Sequence, residues 1–552
     1  MRGALFFLAG LLPSVVLAAP LSLGIAFSST DGLPELTLPY ATYKAYSYDV
    51  TDDYYTFKNI RFAAPPVGNL RWAKPAAPLT QSGVQDGTVG YQCMQAAPQQ
   101  LFVAYPILQS LEPASEDCLF LDIQVPGAAV RGEVKDLPIL FWIFGGGYVL
   151  GSKSFLLYDG NPFLKASGNN LIYVAPNYRL GAFGFLNGPT MESQGTPNAA
   201  FWDQRAALQW VQDYISLLGG DKTAVTAMGE SAGAGSIMHH LTAQGGTLTP
   251  LFKRAIMMSP AFEPLYDPGR LEKQYQTFEV KAGCKGLGLA CLRTVSSDIL
   301  QAANVATVYD SPYGTFGYGP AVDNDFVRDL PGIELASGNY YKDVTIMLGH
   351  TSNEGFLFAD PTKILNSQID ALLKENFPNA TTQNLADLEK LYPEPSLFGT
   401  FLTNYARLSA IIGEWVVTCN FRYLAQAFPT KSWGYQFSIP PGIHGFDLIL
   451  AFWRSDLNIG QVLQVDFDLD FVTQKNLATG FQSYITSFVR SGDPNTYKES
   501  GSIPPTATFP VTNAGDTVKV LDVNLLGYSA INDPDMDKTR CAYWQSGAWT
   551  GR

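Results

Sequence analysis

Residues 224–233 read Ala224-Val225-Thr226-Ala227-Met228-Gly229-Glu230-Ser231-Ala232-Gly233. It joins a mostly apolar run to a Gly-x-Ser-x-Gly pattern, and a helix-compatible segment follows at residues 234–241. In this context the pattern predicts a nucleophile elbow, a strained turn between a strand and a helix that exposes the hydroxyl of Ser231. The alternatives are an ordinary glycine-rich turn and a phosphate cradle, although no Lys-Ser or Lys-Thr pair follows as in a P-loop.

Similar apolar runs recur on both sides of the elbow. They span residues 137–144, 171–175, 255–258, 344–348 and 433–437. Several are apolar at nearly every position, which is typical of strands covered on both faces in a parallel sheet. Residues 203–218 instead have apolar side chains at helical spacing and end at Gly219-Gly220, so we expect a helix there. This alternation predicts an α/β fold around a central, mostly parallel sheet.

The composition agrees with a globular chain. Its 552 residues are 46% hydrophobic and 15% charged, which excludes disordered, collagen-like and coiled-coil proteins. The formal net charge of −13, without a basic run, argues against a nucleic-acid partner, because such binding requires clustered Lys and Arg. We expect a single domain over residues 19–552, because α/β folds often grow by loop insertions on one core.

Residues 1–18 have the pattern of a secretory signal, with Arg2, an apolar stretch and small residues around Ala18. A membrane anchor is the alternative, which the short span and the central Pro13-Ser14 disfavour. We therefore expect cleavage near Ala18 and a secreted, extracellular protein. The sequon Asn379-Ala380-Thr381 then predicts a glycan on Asn379.

Export also bears on the cysteines, which are Cys93, Cys118, Cys284, Cys291, Cys419 and Cys541. In an oxidising compartment all six can pair, but six thiols allow 15 connectivities and their spacing alone does not choose among them. No spacing is that of a zinc site, so we expect no metal and no cofactor.

Gly145-Gly146-Gly147 follows the apolar run at 137–144. Consecutive glycines let backbone N–H groups approach a ligand without a Cβ in the way. With the N–H of Ala232 they predict an oxyanion hole, the set of donors that stabilises the negative charge formed in acyl transfer. A plain bend at the end of the strand is the alternative.

A serine nucleophile needs a base, and the chain has four histidines, His239, His240, His350 and His444. The first two lie on the helix that leaves the elbow, too near in sequence to reach over Ser231, so we interpret them as structural or surface residues. His444 follows the run at 433–437, and Glu354 follows the run at 344–348.

The order serine, acid, histidine is that of α/β-hydrolases, and loops at the carboxyl ends of parallel strands meet on one side of the sheet. The sequence therefore predicts His444 as the base and Glu354 as its orienting carboxylate. His350, four residues before Glu354, is the competing base.

Four further blocks carry a family resemblance, Phe62-Ala63-Ala64-Pro65-Pro66-Val67-Gly68-Asn69-Leu70-Arg71-Trp72, Glu116-Asp117-Cys118-Leu119-Phe120-Leu121-Asp122-Ile123, Asn177-Tyr178-Arg179-Leu180-Gly181 and Asp203-Gln204-Arg205-Ala206-Ala207-Leu208-Gln209-Trp210-Val211. With the elbow, they make the chain similar to the type-B carboxylesterase/lipase family, which includes cholinesterases and secreted fungal lipases. The resemblance implies an α/β-hydrolase fold with helices on both faces of the sheet. It also implies a triad of Ser231, Glu354 and His444, with Gly146, Gly147 and Ala232 as the oxyanion hole.

The resemblance further implies the disulfides Cys93–Cys118, Cys284–Cys291 and Cys419–Cys541. Two positions depart from the family pattern. Phe144 stands where relatives often have His or Tyr, which is expected to change the packing behind the oxyanion loop. Asn324 stands where Gly is usual, in a turn that Asn can also adopt.

These features predict a secreted serine carboxylic-ester hydrolase that acts on a small-molecule or lipid ester through an acyl-enzyme. The loop from Cys93 to Cys118 lacks the Trp that stacks on choline in cholinesterases, so choline esters are unexpected. Its apolar run at 101–108 predicts a movable lid with transient contact to a lipid surface, unless the run packs permanently into the body. The class alternative is a non-catalytic adhesion or binding module. The sequence does not indicate an oligomeric state.

Overall fold

The computed structural model describes residues 23–27, 32–101, 112–263, 267–456, 471–500 and 505–550. The expected signal, residues 1–18, and nearly all of the apolar run at 101–108 lie outside the described residues. The signal, the lid and the single domain over 19–552 therefore stay predictions.

The described strands, in chain order, are β1 (Gly24–Phe27), β2 (Pro34–Leu38), β3 (Ala41–Lys44), β4 (Ser47–Asp49), β5 (Tyr54–Arg61), β6 (Val84–Gln85), β7 (Gln92–Cys93), β8 (Ala114–Ser115), β9 (Phe120–Pro126), β10 (Leu137–Ile143), β11 (Ile172–Pro176), β12 (Gly220–Glu230), β13 (Arg254–Met258), β14 (Thr345–Thr351), β15 (Ser432–Phe437), β16 (Lys519–Asn524) and β17 (Gly527–Asn532). Eleven of them form one sheet in the order β17-β16-β15-β14-β13-β12-β10-β11-β9-β5-β4. The central run from β11 to β16 is parallel, and antiparallel strands complete both edges. Two small sheets, β1-β2-β3-β6 and β7-β8, complete the β structure of the described residues.

The described α-helices are α1 (Gly127–Val130), α2 (Asn161–Ser167), α3 (Gly181–Phe185), α4 (Pro189–Gln194), α5 (Ala199–Tyr214), α6 (Ala232–Thr242), α7 (Pro268–Lys281), α8 (Gly288–Leu292), α9 (Ser297–Tyr309), α10 (Pro331–Ala336), α11 (Asn366–Asn376), α12 (Thr382–Leu391), α13 (Asn404–Gly413), α14 (Cys419–Ala427), α15 (Asp447–Ala451), α16 (Phe471–Ser491) and α17 (Lys538–Ser546). A π-helical turn, Glu414–Thr418, joins α13 to α14. Helices α6 and α16 both pack on β10 and β12, at the centre of the sheet. Among the described residues, no helix combines the length and the apolar character that a membrane crossing requires.

Burial explains why the strands are apolar throughout. Every residue of β11 is buried, as is every residue of β13 after the first. Continuous rather than alternating burial means that both faces of these strands are covered, as the sequence predicts. The core surrounds this sheet in one cluster of buried residues that extends from Leu36 to Trp549.

The helix expected at residues 203–218 is longer than predicted. It begins at Ala199 as α5, continues as the 3-10 turn Ile215–Leu218, and ends at Gly219 with a φ of 78°. The expected start, Asp203, is a buried residue inside the helix whose carboxylate forms a salt bridge of 2.7 Å with Arg179. The predicted start is therefore four residues too late.

The remaining local expectations concern disulfides, a turn and the sequon. The pairs Cys93–Cys118, Cys284–Cys291 and Cys419–Cys541 are all bonded, as the family resemblance implies. Asn324 has a φ of 58°, so this turn does adopt a left-handed conformation that Asn tolerates. Asn379 is exposed and donates a hydrogen bond to Asp267, and its glycosylation stays a prediction.

Candidate active site

Ser231 lies on a sharp turn between β12 and α6. Its φ of 55° and ψ of −125° are unusual for a residue with a side chain, and such a conformation costs about 1–3 kcal/mol. Neighbouring backbone holds it in place, because its N–H donates to the carbonyl of Met258 at 2.9 Å and its carbonyl accepts from the N–H of Ala261 at 3.1 Å. Local strain held by long-range hydrogen bonds is what a nucleophile elbow requires.

The glycines of the pattern are needed for close approach. A Cβ on Gly233 would lie 2.0 Å from the carbonyl oxygen of Ile143, and a Cβ on Gly229 would lie 2.6 Å from the backbone of Gly233. Strand β10 can therefore pass directly beside the turn, and it places the glycine loop that follows it next to Ser231.

The structure brings Ser231, His444 and Glu354 together in one hydrogen-bonded chain. The Nε2 atom of His444 lies 2.8 Å from the Oγ atom of Ser231, and its Nδ1 atom lies 2.5 Å from Oε2 of Glu354. The other oxygen of Glu354 accepts hydrogen bonds from the Ser259 hydroxyl at 2.7 Å and from the Thr351 N–H at 2.6 Å. The acid is thus fixed on both oxygens, and the ring between acid and serine is fixed in turn.

Adjacent strand ends explain how residues so distant in sequence meet. Ser231 follows β12, Glu354 follows β14 and His444 follows β15, and these strands lie close together in the parallel run. The two later loops are also joined to each other, because the N–H of Asn353 donates to the carbonyl of Gly442 at 2.8 Å. The carboxyl edge of the sheet therefore gathers all three side chains.

The charges around His444 favour its protonated form. Burial alone would lower the pKa of the ring, but the carboxylates of Glu354 and Glu230 outweigh burial and raise that pKa to about 9. Burial likewise opposes ionisation of Glu354, but the charge of His444 and the hydrogen bonds it accepts keep the pKa of Glu354 below its ordinary value. A charged imidazolium beside an ionised acid is the state that forms when a histidine takes a proton from a serine.

Glu230 is a site residue that the sequence reasoning missed. Its Oε1 atom lies 3.3 Å from Nε2 of His444, and within the described residues that oxygen has no hydrogen-bond partner. Burial raises the pKa of Glu230 to about 8, although the charge of His444 acts in the opposite direction. The carboxyl has room there because Gly145 carries no side chain, since a Cβ on Gly145 would lie 2.8 Å from Oε2 of Glu230. The sequence shows the glycine and the acid but gives no sign that they face one another.

The glycine loop after β10 presents backbone donors beside Ser231. Gly146 and Gly147 have φ values of 115° and 60°, and within the described residues neither N–H has a hydrogen-bond acceptor. The N–H of Ala232 belongs to the first turn of α6, where helical N–H groups lack intrahelical partners. Behind the loop, the ring of Phe144 stacks on Tyr178 with centroids 4.4 Å apart, and a change of packing relative to the family stays a prediction.

The other three histidines do not reach Ser231. His239 and His240 are buried in α6 rather than on the surface, and burial lowers the pKa of each to about 3. His350 is buried beside Asp533, with Nε2 of the ring 2.6 Å from Oδ2 of that carboxylate. Within the described residues, no group of three or more His, Cys, Asp or Glu side chains is arranged to hold a metal ion.

A cleft opens beside Ser231 and His444. Its walls are largely aromatic and aliphatic and include Tyr148, Phe262, Phe316, Tyr318, Phe358 and Val416. The ring of Phe358 lies 5.2 Å from that of His444, so the apolar wall continues up to the base. Such a cleft suits an organic group attached to a reacting carbonyl.

Comparison with known proteins places the chain among carboxylesterases. Residues 43–527 match the carboxylesterase family. The chain is 35% identical over 540 residues to a protein of Arthroderma benhamiae named secreted lipase, covering 96% of this chain and 95% of that protein. It is 32% identical over 569 residues to carboxylesterase patB of Aspergillus clavatus, covering 94% of this chain and 97% of that protein.

Solved structures agree. The crystal structure of Aspergillus niger EstA is similar with a TM-score of 0.81 at 27% identity, covering 94% of this chain and 99% of that chain. This likeness and the mostly parallel sheet identify the α/β-hydrolase fold, and the relatives favour an enzyme over the non-catalytic binding module. The chain belongs to the carboxylesterase family and is a serine carboxylic-ester hydrolase.

Proposed function

We propose that the enzyme hydrolyses carboxylic esters through an acyl-enzyme on Ser231, with His444 as the base and Glu354 as the orienting acid. The observation that carries the proposal is the pair of contacts made by His444, 2.8 Å to the serine oxygen and 2.5 Å to the carboxylate. A neutral imidazole within hydrogen-bond distance of the hydroxyl can accept its proton as the oxygen attacks the ester carbonyl.

Two acyl transfers complete the reaction. In the first, a bond forms between the serine oxygen and the carbonyl carbon, the bond from that carbon to the alcohol oxygen breaks, and His444 returns the proton to the departing alcohol. In the second, His444 takes a proton from water as the water oxygen bonds to the acyl carbon, the bond from that carbon to the serine oxygen breaks, and His444 returns the proton to Ser231 as the acid leaves. Glu354 stays ionised throughout and holds the ring in the tautomer that presents a free Nε2 to the serine.

The backbone N–H groups of Gly146, Gly147 and Ala232 are the proposed oxyanion hole. Each would donate to the carbonyl oxygen as it becomes negatively charged, and loss of one such donor typically raises the barrier by about 2.7–4 kcal/mol. Because Gly147 lies against Phe316, a Cβ at this position would fall 2.0 Å from that ring. Gly147→Ala is therefore expected to displace the loop and to lower kcat.

The apolar cleft supports esters with an organic acyl or alcohol group, either water-soluble or lipid. The name of the secreted lipase of Arthroderma benhamiae supports the lipid ester, and the name of carboxylesterase patB of Aspergillus clavatus supports the wider class of carboxylic esters. The name of that lipase and the leader-like residues 1–18 also support export of this enzyme, with removal of the leader near Ala18.

A graded panel of p-nitrophenyl esters tests the reaction, and a triglyceride series tests the substrate class. The enzyme should hydrolyse the panel, Ser231→Ala should not, and Ser193→Ala, at an exposed serine that does not line the cleft, should keep the activity. A lipase gains rate sharply when the triglyceride passes its solubility limit, whereas an esterase saturates. Equal hydrolysis by wild type and Ser231→Ala would contradict the proposed nucleophile, and an unchanged rate across the limit would contradict the lid.

A further inference from the structure

Glu263 places a carboxyl group in the otherwise apolar wall of the active-site cleft. It lines the same cleft as Ser231 and His444, and its side chain is only partly buried. The surrounding wall offers aromatic and aliphatic side chains such as Phe262, Phe316 and Val416. A carboxyl in such a wall is poorly solvated and forms no favourable contact with an aliphatic acyl chain. We therefore expect the ligand that binds here to carry a polar group.

The position of Glu263 is fixed relative to the nucleophile. Two residues earlier, the N–H of Ala261 donates to the carbonyl of Ser231 at 3.1 Å, and the carbonyl of Ala261 accepts from the Tyr148 hydroxyl, also at 3.1 Å. The segment that carries Glu263 is thus joined both to the elbow and to the glycine loop. A group bound by Glu263 would be held in register with the reacting carbonyl.

In the part of the chain that the structure describes, the protein contacts one oxygen of the carboxyl. Oε1 accepts the N–H of Phe316 at 3.0 Å, and the ring of Phe316 in turn lies against Gly147. Within the described residues this is the single hydrogen bond of Glu263, and the side chain forms no salt bridge there. Arg270 affects it only at longer range and donates its own hydrogen bond to the carbonyl of Asn376 at 3.2 Å. Among the described residues, one oxygen is therefore held by the protein and the other has no protein partner, so it can bind a ligand.

We propose that Glu263 is a specificity-determining residue that binds a hydroxyl group of the substrate, so that the preferred esters carry a hydroxyl near the scissile bond. This inference rests on the proposed function, because it needs Ser231 as the reacting centre. The hydroxyl belongs either to the acyl group or to the alcohol, and Glu263 recognises the same chemistry in both cases.

The protonation state of Glu263 suits a hydroxyl partner. Burial raises the pKa of this carboxyl to about 8, against the opposing effects of Arg270 and the Phe316 N–H. A protonated acid donates one hydrogen bond and accepts another, and a hydroxyl does the same. Sites that hydrogen-bond a substrate hydroxyl discriminate against the analogue that lacks it, because the polar group of the site then loses its partner.

Two matched substrate pairs test the proposal and separate the two positions of the hydroxyl. The acyl pair is p-nitrophenyl butyrate and p-nitrophenyl hydroxybutyrate, and the alcohol pair is ethyl butyrate and hydroxyethyl butyrate. For wild type we expect the hydroxylated member of one pair to have a kcat/KM about tenfold higher or more. The pair that shows the preference identifies the side of the ester that faces Glu263.

Substitutions at Glu263 should remove this preference without removing catalysis. Glu263→Leu, of similar size, should bring the ratio within the preferred pair to about one, and Glu263→Gln should keep part of it, since an amide still hydrogen-bonds. Val416→Ile changes the apolar wall alone and should keep the wild-type ratio. An unchanged ratio in Glu263→Leu, or no preference by wild type in either pair, would overturn the proposal.

A structural role for Glu263 gives a different result. If its bond to Phe316 served only to hold that loop, Glu263→Leu would lower the melting temperature and slow both members of each pair equally. If it serves the substrate, replacing a poorly solvated carboxyl by Leu should leave the melting temperature unchanged or raise it. Failure of the proposed function is distinguishable, because Ser231→Ala would then still hydrolyse all four esters.

Discussion

Two histidines of this chain each contact a buried carboxylate, yet only one of them touches a serine. His444 has Glu354 on Nδ1 at 2.5 Å and Ser231 on Nε2 at 2.8 Å. His350 lies at the end of β14, only four residues before Glu354, and has Asp533 on Nε2 at 2.6 Å. By sequence alone, either ring is a candidate for the base.

The second ring nitrogen separates the two. In His350, Nδ1 lies 3.0 Å from the carbonyl oxygen of Thr351, which can only accept a hydrogen bond. With a carboxylate on Nε2, both nitrogens of His350 carry protons, and the carboxylates of Asp533 and Asp535 raise its pKa to about 9 although burial alone would lower it. In His444 the second partner is a hydroxyl, which can also donate. A carboxylate beside a histidine therefore marks a base only when the other nitrogen has a partner that can give up a proton.

The largest effect should separate His444 from His350. His444→Gln and Ser231→Ala should lower kcat/KM for a p-nitrophenyl ester by about 10⁴–10⁶-fold, because each removes a group that acts in the transition state. His350→Gln should remain active, since its ring does not contact Ser231. Steady-state kinetics at saturating and limiting substrate measures this. A loss in His350→Gln as large as that in His444→Gln would break the distinction.

The next effect concerns the acid. Glu354→Gln keeps the shape of the site but favours the wrong tautomer of His444, so kcat should fall by about 10⁴-fold with KM little changed. The matched control is Glu334→Gln, a buried acid that lies 3.9 Å from Arg328 and does not line the cleft. Near-normal kcat in Glu354→Gln would show that the contact of 2.5 Å to His444 is not needed for catalysis.

The third prediction concerns the stability that the His350–Asp533 pair gives to the fold. Asp533→Asn leaves the buried His350 cation without its carboxylate, so the free energy of unfolding should fall by about 3–5 kcal/mol while kcat stays near the wild-type value. Urea denaturation followed by tryptophan fluorescence measures this. The double variant His350→Gln/Asp533→Asn should lose less than the sum of the two single losses, and additive losses would show that the pair is not coupled.

The same pair predicts a pH dependence of stability. The pKa of His350 is about 9 in the folded chain against an ordinary 6.5, so its contribution is fully present below pH 6.5 and is lost as the pH rises through 9. His350→Gln should therefore lose less stability than wild type between those limits. A pH profile parallel to that of wild type would contradict a charged His350.

The smallest expected effect is a shift in the pH dependence of kcat/KM, which reports the pKa of His444. Because the base must be neutral, kcat/KM should increase with pH as His444 loses its proton, and the carboxylates around it place this limb in the alkaline range. Glu230→Gln removes one of these carboxylates and should move the limb to lower pH by about one unit. Glu133→Gln, on the exposed surface, is the control. An unmoved limb in Glu230→Gln would remove Glu230 from the electrostatics of the base.

Much of this arrangement is predictable because it is local in sequence or fixed by strand order. The elbow is determined within a few residues, since the close backbone contacts at Gly229 and Gly233 leave no room for a Cβ. The meeting of Ser231, Glu354 and His444 follows from where each lies after a parallel strand. Hydrophobic runs locate such strands well, and their carboxyl ends share one edge.

What the sequence does not predict depends on the direction of side chains and on distant partners. Glu230 is adjacent to the nucleophile, but only the packed site shows its carboxyl beside His444. His350 finds Asp533 at a separation of 183 residues, which no periodicity reveals. Helix α5 begins at Ala199, before the predicted start at Asp203. The burial of Asp203 with Arg179 appears only when α5 is packed.

Covalent labelling with a serine-directed reagent identifies the nucleophile of the enzyme. Wild type treated with a serine-directed organophosphonate and analysed by intact-mass and peptide mass spectrometry should carry one adduct per chain, on Ser231. Ser231→Ala should carry none, and His444→Gln should label far more slowly than His350→Gln. An adduct on a different serine, or labelling that depends on His350 and not on His444, would contradict the account.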